Sequence, residues 1–171
     1  VAPPRRSQSQ FLHMNLMVHN QPHRPVDPGI IEKIKVVDLL WAILALSVLL
    51  LIAQIMLQAA TMTAKLGLDY NASARDEGRK ARGVMAGRAE RALRNLLETY
   101  PAFVALALLL SITGRAGGVG AIGAWLWLAA RIIYVPLYLY GVPYVRSAAW
   151  GAALVGLALM LIRFFTYAPP M

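Results

Sequence analysis

Residues 39–64 read LLWAILALSVLLLIAQIMLQAATMTA, 26 consecutive positions without a charged side chain. A hydrocarbon core roughly 30 Å thick is crossed by about 20 helical residues, so this run is long enough to span a bilayer. Just upstream, Asp27-Pro28 supplies an N-cap and a first-turn proline, and Ile30, Ile31, Ile34 and Val37 lead into the apolar run. Before that, residues 1–29 are polar, carry Pro3, Pro4, Pro22, Pro25 and Pro28, and lack apolar periodicity, which reads as a disordered tail. Arg5-Arg6 followed by Phe11-Leu12 is not a twin-arginine signal, because no apolar segment follows.

Downstream, residues 65–88 (KLGLDYNASARDEGRKARGVMAGR) are dense in charge and turn formers and read as an aqueous loop. A second span is expected over 91–113. Only Thr99 to Gly114 is free of charge, so the first two turns carry Arg91, Arg94, Asn95 and Glu98. A third span, 119–140, is rich in aromatics, contains Arg131 and is expected to kink at Pro136 before Gly141-Val142-Pro143 ends it. A fourth covers 147–163. Four spans joined by short second and third connections predict an all-α integral membrane protein, an up-down-up-down four-helix bundle over 30–168. Gly120/Ala124 and Ala152/Gly156 offer small residues four apart for close helix approach.

Composition agrees. Of 171 residues, 58% are apolar and 15% charged, against about 25% charged in soluble domains. The net charge of +9 could suggest nucleic acid, but the last 73 residues hold only Arg115, Arg131, Arg146 and Arg163 as charges. Four scattered arginines in apolar sequence cannot neutralise successive phosphates, which excludes a nucleic-acid partner. The absence of cysteine excludes disulfides, thiolate metal sites and a protein thiol nucleophile. His13, His19 and His23 lie in the tail without mutual helical spacing or a carboxylate cluster, so no metal site is expected. Lys and Arg near the span ends number nine on the side of the first loop (Lys65, Arg75, Arg79, Lys80, Arg82, Arg88, Arg91, Arg94, Arg146) against seven on the other, which places that loop in the cytoplasm.

The polar start of the second span carries the chemistry. Arg91, Asn95 and Glu98 stand at i, i+4 and i+7, on one helical face, with Arg88 on the same flank. Such groups at membrane depth must pair or bind something polar. Two readings follow: an Arg91–Glu98 ion pair with Asn95 joining helices, or a binding site for a polar ligand. Arg131, deeper in the third span, must also pair or face water, and Glu98 is one candidate partner.

RAERALRNLLETYPAF, residues 88–103, resembles the signature of the MAPEG family, the membrane-associated proteins of eicosanoid and glutathione metabolism: Glu90, Arg91, Asn95, Glu98 and Pro101 match the pattern E-R-x-x-x-N-x-x-E-x-x-P. ARIIYVPLYLYGVPYVRS, residues 130–147, looks like that family's third helix and third loop. The resemblance covers about residues 36–165 and is nearest to short bacterial members, which implies a bacterial inner-membrane protein.

The resemblance implies a homotrimer that binds glutathione between protomers near the cytoplasmic face, while an apolar small-molecule acceptor approaches from the membrane lipid. Arg91 would clamp a glutathione carboxylate, Glu98 receive the ammonium, and Asn95 donate and accept. Arg146 stands where related transferases place the arginine that stabilises the thiolate, or is a snorkelling residue that marks the interface. Tyr134 and Tyr138 correspond to tyrosines near the sulfur or glycine end, or form an aromatic belt; Lys65 aligns with a basic position that contacts glutathione, or is an interfacial lysine. Arg88 joins the binding set, and no metal is implied. Where leukotriene-synthase-like members have a tyrosine directly after the motif glutamate, this chain has Thr99 and then Tyr100. The function implied is a glutathione-dependent transferase or peroxidase acting on hydrophobic electrophiles or lipid hydroperoxides. The alternative is a non-catalytic lipid-binding or scaffold protein of the same fold. A transporter is disfavoured because the acids stop at Glu98.

Overall fold

In the computed structural model, residues 27–74, 76, 78 and 83–167 are described. The contacts divide the chain into Val1–Ile31 and Glu32–Met171. Of the first unit only 27–31 is described, so the reading of the tail and of its three histidines lies outside the described residues, as do Arg75, Arg79, Lys80 and Arg82 of the first loop.

The elements are helices α1 (Pro28–Leu66), α2 (Leu68–Ala72), α3 (Val84–Ile112), α4 (Val119–Tyr140) and α5 (Pro143–Thr166). All but α2 are long and apolar enough to cross a membrane, and the protein is an all-α four-helix membrane bundle. The expected start of α1 is present: Asp27 Oδ1 accepts from the Gly29 N–H at 2.9 Å, one residue after the proline. Along α1, Leu40, Ile43, Ser47 and Gln54 are buried, a stripe repeating at three and four residues, while Leu46, Leu49, Ile52 and Met56 are exposed. Apolar side chains on the outward face of a spanning helix meet lipid, so their exposure costs nothing there.

The helices run past the expected spans where the sequence is charged. α3 begins at Val84, seven residues before the expected 91; alanine, arginine and glutamate are good helix formers, and the helix extends beyond its apolar part. α5 begins at Pro143 rather than 147, with the proline in its first turn. Residues 65–88 contain α2, set off from α1 by Gly67 at φ 83°. α4 runs on through Pro136 to Tyr140.

The core is built where α3 and α4 face each other. Phe103 and Trp127 stack with centroids 3.8 Å apart and planes within 4°, and Tyr100 lies 6.1 Å from the Trp127 ring. α1 joins this core through Leu40 and Ile43 and through the Ser47 hydroxyl, 3.3 Å from that of Tyr100. α4 and α5 approach more closely. A Cβ on Gly156 would fall 2.6 Å from the Gly123 carbonyl oxygen, and one on Gly123 would fall 2.5 Å from that of Gly156. Of the small residues picked out by spacing, Gly156 makes this contact, but its partner is Gly123. Gly120 instead lodges the stem of Arg163, whose Cγ would lie 2.9 Å from an added Cβ.

The α4–α5 turn closes as its sequence suggests. Gly141, at φ 78°, and Val142 both donate to the Leu137 carbonyl, at 3.1 and 3.0 Å.

Candidate functional site

The loop end of the bundle brings the start of α3, the end of α4 and the start of α5 together. Among the described residues Arg131 is the deepest charged group, 1% exposed. From α4 its guanidinium donates through Nη1 to Asn95 Oδ1 at 2.7 Å and through Nη2 to Thr99 Oγ1 at 2.6 Å. Asn95 and Thr99 stand one helical turn apart on α3, which suits a planar two-pronged donor. Its Nε has no partner among the described residues. The Trp127 and Tyr134 rings lie 5.9 and 5.7 Å from its central carbon. Glu98, the candidate partner, makes no ion pair with Arg131: it is exposed, and Asn95 stands between them, bonded to Arg131 and 3.4 Å from Glu98.

This pairing orients Asn95. A guanidinium can only donate, so the amide oxygen faces Arg131 and the NH2 group is turned away, where Nδ2 lies 3.4 Å from Glu98 Oε2.

Of the two readings of Arg91, Asn95 and Glu98, the bridge between helices through Asn95 is present. The Arg91–Glu98 ion pair is absent; the ion pair among the described residues is Arg94–Glu90, at 2.9 Å. Arg91 reaches α4 instead, where its Nε donates to the Tyr138 hydroxyl at 3.2 Å. Arg146, from the first turn of α5, sits over the same Tyr138 ring with its central carbon 4.5 Å from the centroid. Tyr134 tilts against Tyr138 at 5.4 Å and 54°.

Between these side chains lies a cleft of about 340 Å³ lined by Asn95, Tyr134, Tyr138, Arg146, Ser147 and Trp150, large enough for a small organic molecule. Arg146 lines it, while Arg91 reaches its wall through Tyr138 and Arg131 lies behind Asn95, with the Glu98 carboxylate beside Asn95, so cations outnumber anions around the cleft and an anionic ligand suits it. Among the described residues no group of three His, Asp or Glu could hold a metal ion.

The sequence-selected residues divide accordingly. Asn95, Tyr134, Tyr138 and Arg146 line the cleft, Arg91 joins through Tyr138, and Glu98 stands beside Asn95. Arg88 is elsewhere: its Nη1 donates to the Leu139 carbonyl at 2.7 Å and its guanidinium fills the space beside Gly141, where any Cβ would lie 2.4 Å from Nη2. Lys65 runs along Gly83, 3.2 Å from where a Cβ would stand. Neither lines the cleft. Ser147 and Trp150 were not selected. Both could have been found from Arg146, since Trp150 lies one helical turn beyond it and Ser147 follows it, once α5 is seen to begin before Arg146.

The family model described as MAPEG family matches residues 39–166. No curated protein and no solved structure matches the chain.

Proposed function

Since the chain belongs to the MAPEG family, we propose that it is a membrane-bound glutathione-dependent transferase or peroxidase, with glutathione held in the cleft between α3, α4 and α5. The observation that carries this reading is the convergence of Arg91 and Arg146 on Tyr138 beside a cavity lined by Asn95. Glutathione carries two carboxylates, an ammonium and a thiol. Arg91 would hold a carboxylate, Glu98 the ammonium, and the outward amide NH2 of Asn95 would donate to a backbone or carboxylate oxygen. Arg88 and Lys65, outside the cleft lining, would add only to the positive charge of that end of the protein.

The remaining task is ionising the thiol, whose ordinary pKa of about 8.5 leaves a few per cent thiolate at neutral pH. Lowering it by about two units takes roughly 2.7 kcal/mol of differential stabilisation, which a guanidinium facing sulfur in a partly dehydrated cleft can supply. Arg146 would do this. Tyr138 would help, because a phenol whose oxygen accepts from Arg91 is a stronger donor of its own proton to the sulfur. The thiolate then attacks an electrophilic carbon, a carbon–sulfur bond forms and the leaving group departs with its electron pair. With a lipid hydroperoxide, two glutathiones are oxidised to the disulfide while the hydroperoxide is reduced to alcohol and water.

We further infer a homotrimer with the cleft end in the cytoplasm of a bacterial inner membrane. Glu98 is exposed halfway along α3; a carboxylate there is costly against lipid, and a neighbouring protomer would cover it. Cross-linking in mild detergent should give a trimer, and a monomer alone would overturn the trimer.

The test is calorimetric titration of the detergent-solubilised protein with glutathione, followed by ultraviolet detection of bound thiolate and conjugation to a chlorodinitrobenzene acceptor. Saturable binding with thiolate absorbance and turnover supports the proposal. A folded protein that binds no glutathione overturns it in favour of the non-catalytic, lipid-binding or scaffold alternative.

A further inference from the structure

The end of the bundle opposite the cleft holds a second arginine cluster that the proposed chemistry does not use. The turn between α3 and α4 carries Arg115, and the last turn of α5 carries Arg163, Phe164 and, one residue past the helix, Tyr167. Arg115 donates through Nη1 to the Phe164 carbonyl, and Arg163 donates through Nε to the Arg115 carbonyl at 3.3 Å. The central carbons of both lie near the Tyr167 ring, at 5.8 Å for Arg115 and 4.4 Å for Arg163, and Arg115 also lies 4.8 Å from the Phe164 ring. Two like charges are thus held against one aromatic ring. Each spends one N–H on a backbone carbonyl, and its remaining donors have no partner among the described residues.

Among the described residues no carboxylate pairs with either of them. The chain has no acid after Glu98, and Glu32 and Asp38, on the α1 end of this side, are exposed and make no ion pair with either arginine. Nor is Arg163 simply extended towards water, as an arginine at a span end would be. Its stem is bent across Gly120 and its guanidinium across Gly118, where an added Cβ would lie 2.9 Å from Cγ and 3.7 Å from the central carbon respectively. The cradle exists because both positions lack a side chain. Its place is at the ends of the apolar helices α3 and α5 and the start of α4, and it is at the ends of spanning helices that lipid phosphates and interfacial aromatics meet.

We propose that Arg115, Arg163 and Tyr167 form a binding site for the phosphate of an anionic phospholipid on the side of the membrane opposite the cleft. A guanidinium fork matches phosphate oxygens, and the acyl chains would lie along the apolar outer faces of the same helices, where Ile112, Ile162 and Phe165 are exposed. The anion would remove the repulsion that the two cations otherwise carry.

The test is native mass spectrometry of the full chain, stripped of lipid in detergent and then given dioleoyl phosphatidylglycerol and dioleoyl phosphatidylcholine in equal amounts. Retention of phosphatidylglycerol over phosphatidylcholine by about tenfold is expected. The double change Arg115→Gln, Arg163→Gln should abolish the preference, while Arg94→Gln, an exposed arginine at the cleft end, should keep it. Should the double variant fail to fold, Gly120→Ala, which pushes the Arg163 stem out of its cradle, should weaken the preference several-fold, and Arg163→Lys should retain part of it. Equal retention of the two lipids, or a preference untouched by the arginine and glycine changes, overturns the site. Competition by millimolar inorganic phosphate as effective as competition by the lipid would overturn the lipid assignment and leave a simple phosphate site.

Discussion

Arg131 on α4 and Asn95 on α3 are joined by a 2.7 Å hydrogen bond, and the arginine, 1% exposed, has no carboxylate within ion-pair distance among the described residues. A buried cation is thus held by neutral acceptors alone. One bond therefore links the packing of two spanning helices to the orientation of a cleft amide.

The two partners should not be equivalent in stability. Asn95→Leu leaves a buried guanidinium with Thr99 as its one remaining hydrogen-bond partner among the described residues, at a cost of about 3 kcal/mol, the upper end for a bond to a charged group, whereas Arg131→Met leaves two neutral groups, Asn95 and Thr99, short of a donor at about 1–2 kcal/mol. Thermal melting in detergent should place Asn95→Leu below Arg131→Met, and adding Arg131→Met to Asn95→Leu should recover part of the loss. The reverse ranking would mean that the charge is reached by water.

Gly156 should tolerate no side chain. An added Cβ would meet the Gly123 carbonyl oxygen at 2.6 Å and the Trp127 nitrogen at 2.8 Å, both backbone atoms that cannot rotate away. Gly156→Ala should therefore cost about 1–3 kcal/mol by overpacking. Gly151→Ala, on the same helix with nothing within 4 Å, should be neutral or slightly stabilising. Comparison of the two melting curves decides the matter.

Much of this architecture is legible in sequence because its determinants are local. The charge-free run 39–64, the Asp27-Pro28 start and the Gly141-Pro143 stop each act within a few residues, and each appears where its chemistry predicts. The partner of Arg131 is not legible in the same way, because Glu98, Asn95 and Thr99 are all near on α3 and only the rotation of that helix against α4 selects among them. The Gly123–Gly156 contact is hidden for the same reason: four-residue spacing marks candidate small residues on each helix but does not align one helix with another. Arg88 was legible as a cation on the right flank, but not as a cap for a different helix. Its destination depends on where α4 ends in space.

Glutathione binding should depend on Arg91 and Glu98 by charge. Arg91→Ala and Glu98→Gln should each weaken calorimetric affinity about tenfold or more, the range of a lost charge-assisted contact, while cross-linking still gives the trimer. Loss of the trimer with affinity intact would assign the pair to assembly instead.

Arg146 should separate activation from binding. A guanidinium facing sulfur interacts strongly only with the thiolate, so it lowers the thiol pKa, and removing it must move thiolate formation to higher pH. Arg146→Leu should accordingly raise the pH at which ultraviolet thiolate absorbance appears and lower turnover, while affinity measured well below the thiol pKa changes by less than about tenfold. Arg91→Ala should weaken binding across that whole pH range, because carboxylates are ionised throughout. An unchanged thiolate titration in an active Arg146→Leu protein would make Arg146 an interfacial anchor.

The glycine contact between α4 and α5 also governs how the cleft can open. Gly123 and Gly156 bring two backbones together without intervening side chains, so α4 and α5 move as one plank. Five of the six cleft-lining residues (Tyr134, Tyr138, Arg146, Ser147 and Trp150) ride on that plank, and only Asn95 belongs to α3. The cleft therefore has one wall of two helices packed backbone to backbone and one wall supplied by α3 alone. Widening it means drawing α3 away, which stretches the Asn95–Arg131 and Arg91–Tyr138 bonds together and leaves the Arg146–Tyr138 stack undisturbed.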